Sequence, residues 1–154
     1  MLALVFSGIV HGEDEAPRNW FNDPFVQVSA ALPGCPEPLG PRITAAERLA
    51  QSHHRAERGT TCFLRGECRQ PNAYLEDPGI AAMLLPRLQR SGAAAQSTLW
   101  LTVQGRIVYL EGCTQAARGP VAAELERIAR SVPQVLQAVV LLDDGQGRPP
   151  YRLR

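Results

Sequence analysis

Polar and apolar positions alternate most regularly in the last third of the chain. Leu99, Leu101 and Val103 alternate with Trp100, Thr102 and Gln104, a period of two that puts one set on a single face of a strand over residues 98–104. Gly105 and Arg106 follow as a turn, and residues 107–112 form the return strand, with Val108 and Leu110 continuing the face. Glycine beside a polar residue between two such runs is a hairpin signal, because glycine accepts the positive φ that tight hairpin turns need. The period then changes. Val121, Leu125, Ile128 and Val132 recur at helical spacing, while Glu124, Glu126, Arg127 and Arg130 fall mostly off that stripe. The helix should start near Gly119-Pro120, since proline suits a first helical position, and end near Ser131. An apolar run over residues 135–142 predicts a last strand.

Upstream, Ile80, Met83, Leu84, Leu85 and Leu88 supply the apolar face of another helix. Asp77-Pro78 reads as its cap and first position, Pro86 should kink or restart it, and Ser91-Gly92 should end it before a short linker over residues 93–97. Nearer the N-terminus, Thr44 and Glu47 make a capping box for a helix predicted to end at Gly59, over residues 44–58. Its thin packing face should be Ala46, Leu49, Ala50 and His53. Five prolines between Asn22 and Thr44 predict a segment that wanders over a surface rather than joining a sheet. Phe63 and Leu64 should pack back on the domain, and the Gly/Pro-rich tail over residues 145–154 should be mobile.

The run VQGRIVYLEGC followed by ELERIARSVPQVLQAVVLL resembles the BON family, named for bacterial osmotic-stress and nodulation proteins. Gly105 matches the family's turn glycine. Val108, Leu110 and Gly112 match its second-strand signature, and Val132, Pro133 and Val135 match the entry to its last strand. Gln134 departs from the pattern, because the family usually has glycine there. The resemblance covers residues 77–144 and implies an α+β fold, a single small αββαβ domain. The helical N-terminal extension, over residues 19–75, would be stapled to it by disulfides. The resemblance also implies a non-catalytic periplasmic module that binds phospholipid surfaces or other envelope components. An adaptor role in a secretion or surface-appendage assembly is the alternative.

Composition bears on this reading in three ways. The net charge of +1 does not point to nucleic acid. Every one of the 16 basic residues is arginine, which excludes Schiff-base chemistry and P-loop phosphate binding, both of which need lysine. Arginines that could pair with lipid phosphates are Arg87, Arg90, Arg106, Arg127 and Arg130, since guanidinium offers bidentate donors. The apolar start, MLALVFSGIV, is too short to span a bilayer and fits a truncated secretory signal within residues 1–16.

The four cysteines, Cys35, Cys62, Cys68 and Cys113, favour two disulfides in an exported chain. Three pairings are possible. Proximity favours Cys62–Cys68, which leaves Cys35–Cys113. A zinc site from His53, His54, Cys62 and Cys68 is disfavoured, because Cys-x5-Cys is not a usual knuckle and adjacent helical histidines point about 100° apart. The chain shows no Ser/His/Asp arrangement, no HExxH and no glycine-rich phosphate loop, and Asp143-Asp144 reads as a turn. The sequence therefore calls for no catalytic residue, no metal and no cofactor.

Overall fold

The computed structural model describes residues 16–154, so the expected leader lies almost wholly outside the described residues. The fold is α+β, with a four-stranded mixed sheet in the order β1-β2-β3-β4. The strands are β1 (Phe25–Ala30), β2 (Ser97–Gln104), β3 (Ile107–Thr114) and β4 (Gln137–Asp143). The helices are α1 (Ala45–Leu64), α2 (Asp77–Gln89), the single turn α3 (Gly92–Ala95) and α4 (Arg118–Arg130). β2 and β3 form an antiparallel hairpin, while β3 and β4 run parallel, with α4 as the crossover between them.

The hairpin and its helix lie within a residue or two of where the periodicity puts them. Leu99, Leu101, Val103, Val108 and Leu110 are fully buried against Ile80, Leu84 and Leu88 of α2 and Leu125 of α4. Each buried side chain of this size contributes about 1.5–3 kcal/mol. Pro86 does not break α2. It and Ala82 are exposed, so the carbonyl that loses its helical partner faces water. Asp77 is the first helical residue rather than the cap, and its carboxylate is turned to the hairpin instead. The expected linker contains α3, capped by Ser91, with Ala93 and Ala94 buried.

Four expectations are corrected. The proline-rich segment does contain a strand: β1 pairs antiparallel with β2, with a bulge between Gln27 and Ser29. Its Val26 and Val28 join the helix-covered core, while Pro24 and Pro33 sit outside the strand. Second, α1 does not stop at Gly59 but runs to Leu64. Gly59 is there for close approach, because a Cβ on it would lie 2.2 Å from the Asn72 side-chain amide. Third, Phe63 and Leu64 do not pack back but are 46% and 82% exposed. Fourth, the tail is held at its end. Tyr151 is buried, its hydroxyl donates to the Pro36 carbonyl at 3.1 Å, and Leu39 N–H donates to the Arg152 carbonyl at 2.7 Å.

Both disulfides pair as proximity predicts, Cys35–Cys113 and Cys62–Cys68. The first ties the N-terminal segment to the end of β3. The sheet face opposite the helices carries Thr98, Trp100 and Thr102, which are buried too. Leu32 N–H donates to Thr98 Oγ1 on this side, and Gly40 lies against the Phe25 ring. The extension is thus part of the same sheet and the same packing as the hairpin, not an appendage to it.

Candidate functional site

The turn end of the hairpin is the most elaborated place in the molecule. Gly105 and Arg106 both have positive φ, +59° and +69°, as a two-residue hairpin turn requires. Arginine bears that conformation because the turn is clamped. The fully buried Asp77 carboxylate accepts the Gly105 N–H at 2.6 Å and the Arg106 N–H at 2.7 Å. Burial pushes this carboxyl up to about 6, against the lowering pull of the two backbone donors. The Arg106 guanidinium donates through Nε to the Gln134 carbonyl at 2.8 Å, and the Arg106 carbonyl accepts from Leu136 N–H at 2.8 Å. Gln134 does not have a positive φ.

Beside the turn lies a second buried polar group. The Arg55 guanidinium pairs with the Asp23 carboxylate through both terminal nitrogens and is sandwiched between Phe21 and Tyr74, 4.0 and 3.8 Å from the ring centres. Gln104 donates to the same carboxylate at 2.7 Å. This cluster joins α1 to β2 and to the chain before β1. Between it and the turn opens a cleft, lined among others by Arg58, Glu67, Tyr74, Arg106, Ile107 and Leu136. Burial raises the Tyr74 hydroxyl, so it stays a donor at neutral pH.

The arginines singled out in the sequence separate. Arg87, Arg127 and Arg130 meet where α2 and α4 end. Arg87 donates to Ser131 Oγ at 2.8 Å, and Arg130 pairs with Glu126 at 2.8 Å. Arg127, Arg130 and Ser131 share a shallow depression there. Arg90 is exposed on its own. Arg106 is buried in the turn, 7% exposed, so a flat lipid surface cannot reach it as a free cation. Gly105 and Gly112 hold the turn and the close approach of the two hairpin strands. His53 and His54 are exposed on α1, and among the described residues no group of three or more His, Cys, Asp or Glu is arranged to hold a metal.

Sequence reasoning missed the outer face of α1. The residues assigned to its packing face, Ala46, Leu49, Ala50 and His53, all point to solvent, with Leu49 77% exposed. The inner face is instead Glu47, Gln51, Arg55, Gly59 and Cys62. The helix is therefore inverted, polar inward and apolar outward. The signal was present: Leu49, Ala56 and Phe63 repeat every seven residues, and the buried Arg55 sits on the opposite side. Compared with protein-family models, curated proteins and solved structures, the chain shows no significant match.

Proposed function

We propose that this chain is a non-catalytic module of a bacterial envelope that attaches to phospholipid surfaces, with α1 as its contact. The observation that carries the reading is the outward apolar stripe of α1: Leu49, His53, Ala56, Thr60, Phe63 and Leu64 are all exposed along one side. An amphipathic helix of this kind lies in a membrane interface with its apolar side down. Magnitudes favour the stripe over the arginines. Burying a Leu or Phe contributes about 1.5–3 kcal/mol, against about 1 kcal/mol for an arginine near an anionic surface. The element order α2-α3-β2-β3-α4-β4 contains, apart from the single turn α3, the αββαβ succession that the BON resemblance implies, with Gly105 and Gly112 in place. The two disulfides fit an oxidising, exported location such as the periplasm. Among the described residues no helix is long and apolar enough to cross a membrane.

The test is co-sedimentation of the oxidised protein with anionic and neutral vesicles, comparing wild type with Leu49→Glu. Leu49 is so exposed that the substitution should shift stability by no more than about 0.5 kcal/mol. Loss of binding in a folded variant supports the reading, and equal binding by both proteins overturns it.

One observation favours a second reading, an adaptor that pairs through α1 with another copy. Ala46, Leu49, His53, Ala56, Thr60 and Phe63 follow the alternating three-four spacing of a coiled-coil seam. Antiparallel pairing sets Ala46 against Phe63, Leu49 against Thr60 and His53 against Ala56, a large residue opposite a small one each time. Concentration-dependent sedimentation without vesicles, abolished by Leu49→Glu, distinguishes this reading from the first.

A further inference from the structure

We propose that the cleft beside the hairpin turn is a binding site for a phosphate ester, held by the unspent terminal nitrogens of Arg106 together with Arg58 and the Tyr74 hydroxyl. This inference does not rest on the outward apolar stripe of α1 or on the vesicle reading.

Arg106 is the reason to look here. It is 93% buried by its 7% exposure, yet only its Nε is committed, to the Gln134 carbonyl. Among the described residues its two terminal nitrogens have no hydrogen-bond partner and no carboxylate within ion-pair distance. These nitrogens are not sealed from solvent, since the buried side-chain N and O atoms without a partner among the described residues are Ser97 Oγ and Thr102 Oγ1 alone, so they stand open to an acceptor on an otherwise buried, fixed side chain. The nearby acids are already engaged. Asp77 is spent on the two turn N–H groups, and Asp23 on Arg55 and Gln104. Arg106 lines the cleft, so an acceptor can reach it from there.

The other walls agree. Arg58 from α1 lines the cleft and makes no ion pair or hydrogen bond among the described residues. Tyr74 lines it too, protonated, with its hydroxyl unpartnered among the described residues. Glu67 is the one carboxylate among the lining residues, so two guanidinium charges against one carboxylate leave the cleft cationic. Donors therefore come from three elements, the turn, α1 and the stretch before α2. That spread suits a tetrahedral anion with several acceptor oxygens better than a planar carboxylate. Ala73, Ile107 and the 62% exposed Leu136 give the remaining wall an apolar character, which suits the organic part of an ester. The same chemistry occurs in a free phosphate ester and in a phospholipid headgroup.

The experiment is amide NMR titration of the full oxidised chain with glycerol phosphate, then with short-chain phosphatidylglycerol below its micelle concentration, with acetate as control. Saturable shifts at Gly105, Arg106 and Tyr74, weakened about tenfold by Arg58→Gln, are expected. Arg58 is exposed, so this variant keeps its fold, and Arg106→Lys tests the fork while keeping the charge. Tighter binding of phosphatidylglycerol than of glycerol phosphate identifies the lipid headgroup as the source, and equal binding identifies a soluble ester. No saturable shift, shifts matched by acetate, or shifts indifferent to Arg58→Gln overturn the proposal. Vesicle binding that depends on Leu49 would survive that failure, so the two readings fall separately.

Discussion

A Cβ added at Gly112 would lie 1.9 Å from the Thr98 carbonyl oxygen, and the residue's φ is +154°. Both facts forbid a side chain, and the obstacle is backbone that cannot rotate away. Gly112→Ala should therefore cost about 3 kcal/mol or more, read as a drop in the urea midpoint with unchanged slope. A loss under about 1 kcal/mol would mean that the hairpin yields. Asp77 makes a different prediction. Its folded carboxyl sits at about 6, above the ordinary value of 3.8. Between those values the folded state holds the proton more tightly than the unfolded chain, so this group's contribution to stability falls as pH rises through that window. The stability difference between wild type and Asp77→Asn should accordingly move against wild type from about pH 4 to pH 6, with little change above. Denaturation at a series of pH values checks the sign. The glycine was legible in the sequence from its place in the strand signature. The carboxylate was not, because Asp-Pro before an apolar run looks like a helix start whatever the side chain finally bonds.

At the scale of elements, β2, β3 and α4 were legible because each buries one face against the next, and that requirement writes a period into the residues. α1 was readable as a helix from its capping box but not in its orientation. Its inward side is held by a disulfide, a close-packed glycine and the Arg55–Asp23 pair rather than by apolar burial. Apolar periodicity then points outward and misleads. The two disulfides differ in what they restrain. Cys62–Cys68 closes a short loop at the end of α1, and Cys35–Cys113 spans 78 residues. In the loop-entropy model these contribute about 2.4 and about 4.5 kcal/mol. Replacing Cys62 and Cys68 by serine should lower stability modestly. The same change at Cys35 and Cys113 should cost about twice as much, measured by calorimetry on the two double variants.

At the scale of the whole molecule, the C-terminal tail closes on the segment that follows β1. The segment after β1 and the C-terminal tail meet through the Pro38–Leu153 bridge, the Leu39–Arg152 hydrogen bond and the Arg154–Glu37 ion pair at 3.1 Å. The carboxyl of Glu37 is lowered chiefly by its hydrogen bond from Arg42. Tyr151 is the anchor, buried beside the Cys35–Cys113 bridge. Tyr151→Phe should cost about 1 kcal/mol for the lost hydrogen bond. Tyr151→Ala should cost about 3 kcal/mol or more for the lost packing. Equal effects of the two would mean that the ring packs on nothing. Glycines and prolines before Tyr151 made the tail read as mobile. Composition reports backbone freedom, whereas one buried aromatic is enough to end it.

The sequence alone determined the hairpin, its turn, the crossover helix and the last strand. Each of these rests on contacts between residues near in the chain or on a period that one buried face imposes. Tertiary structure decided the rest: β1 at the sheet edge, the inverted α1, the held tail, and the carboxylate and arginine facing each other's surroundings at the turn. Those features join residues separated by tens of positions, such as Asp77 with Arg106 and Asp23 with Arg55 and Gln104. A buried charge needs its partner in space, and nothing in the spacing of residues along the chain records which partner the fold will bring.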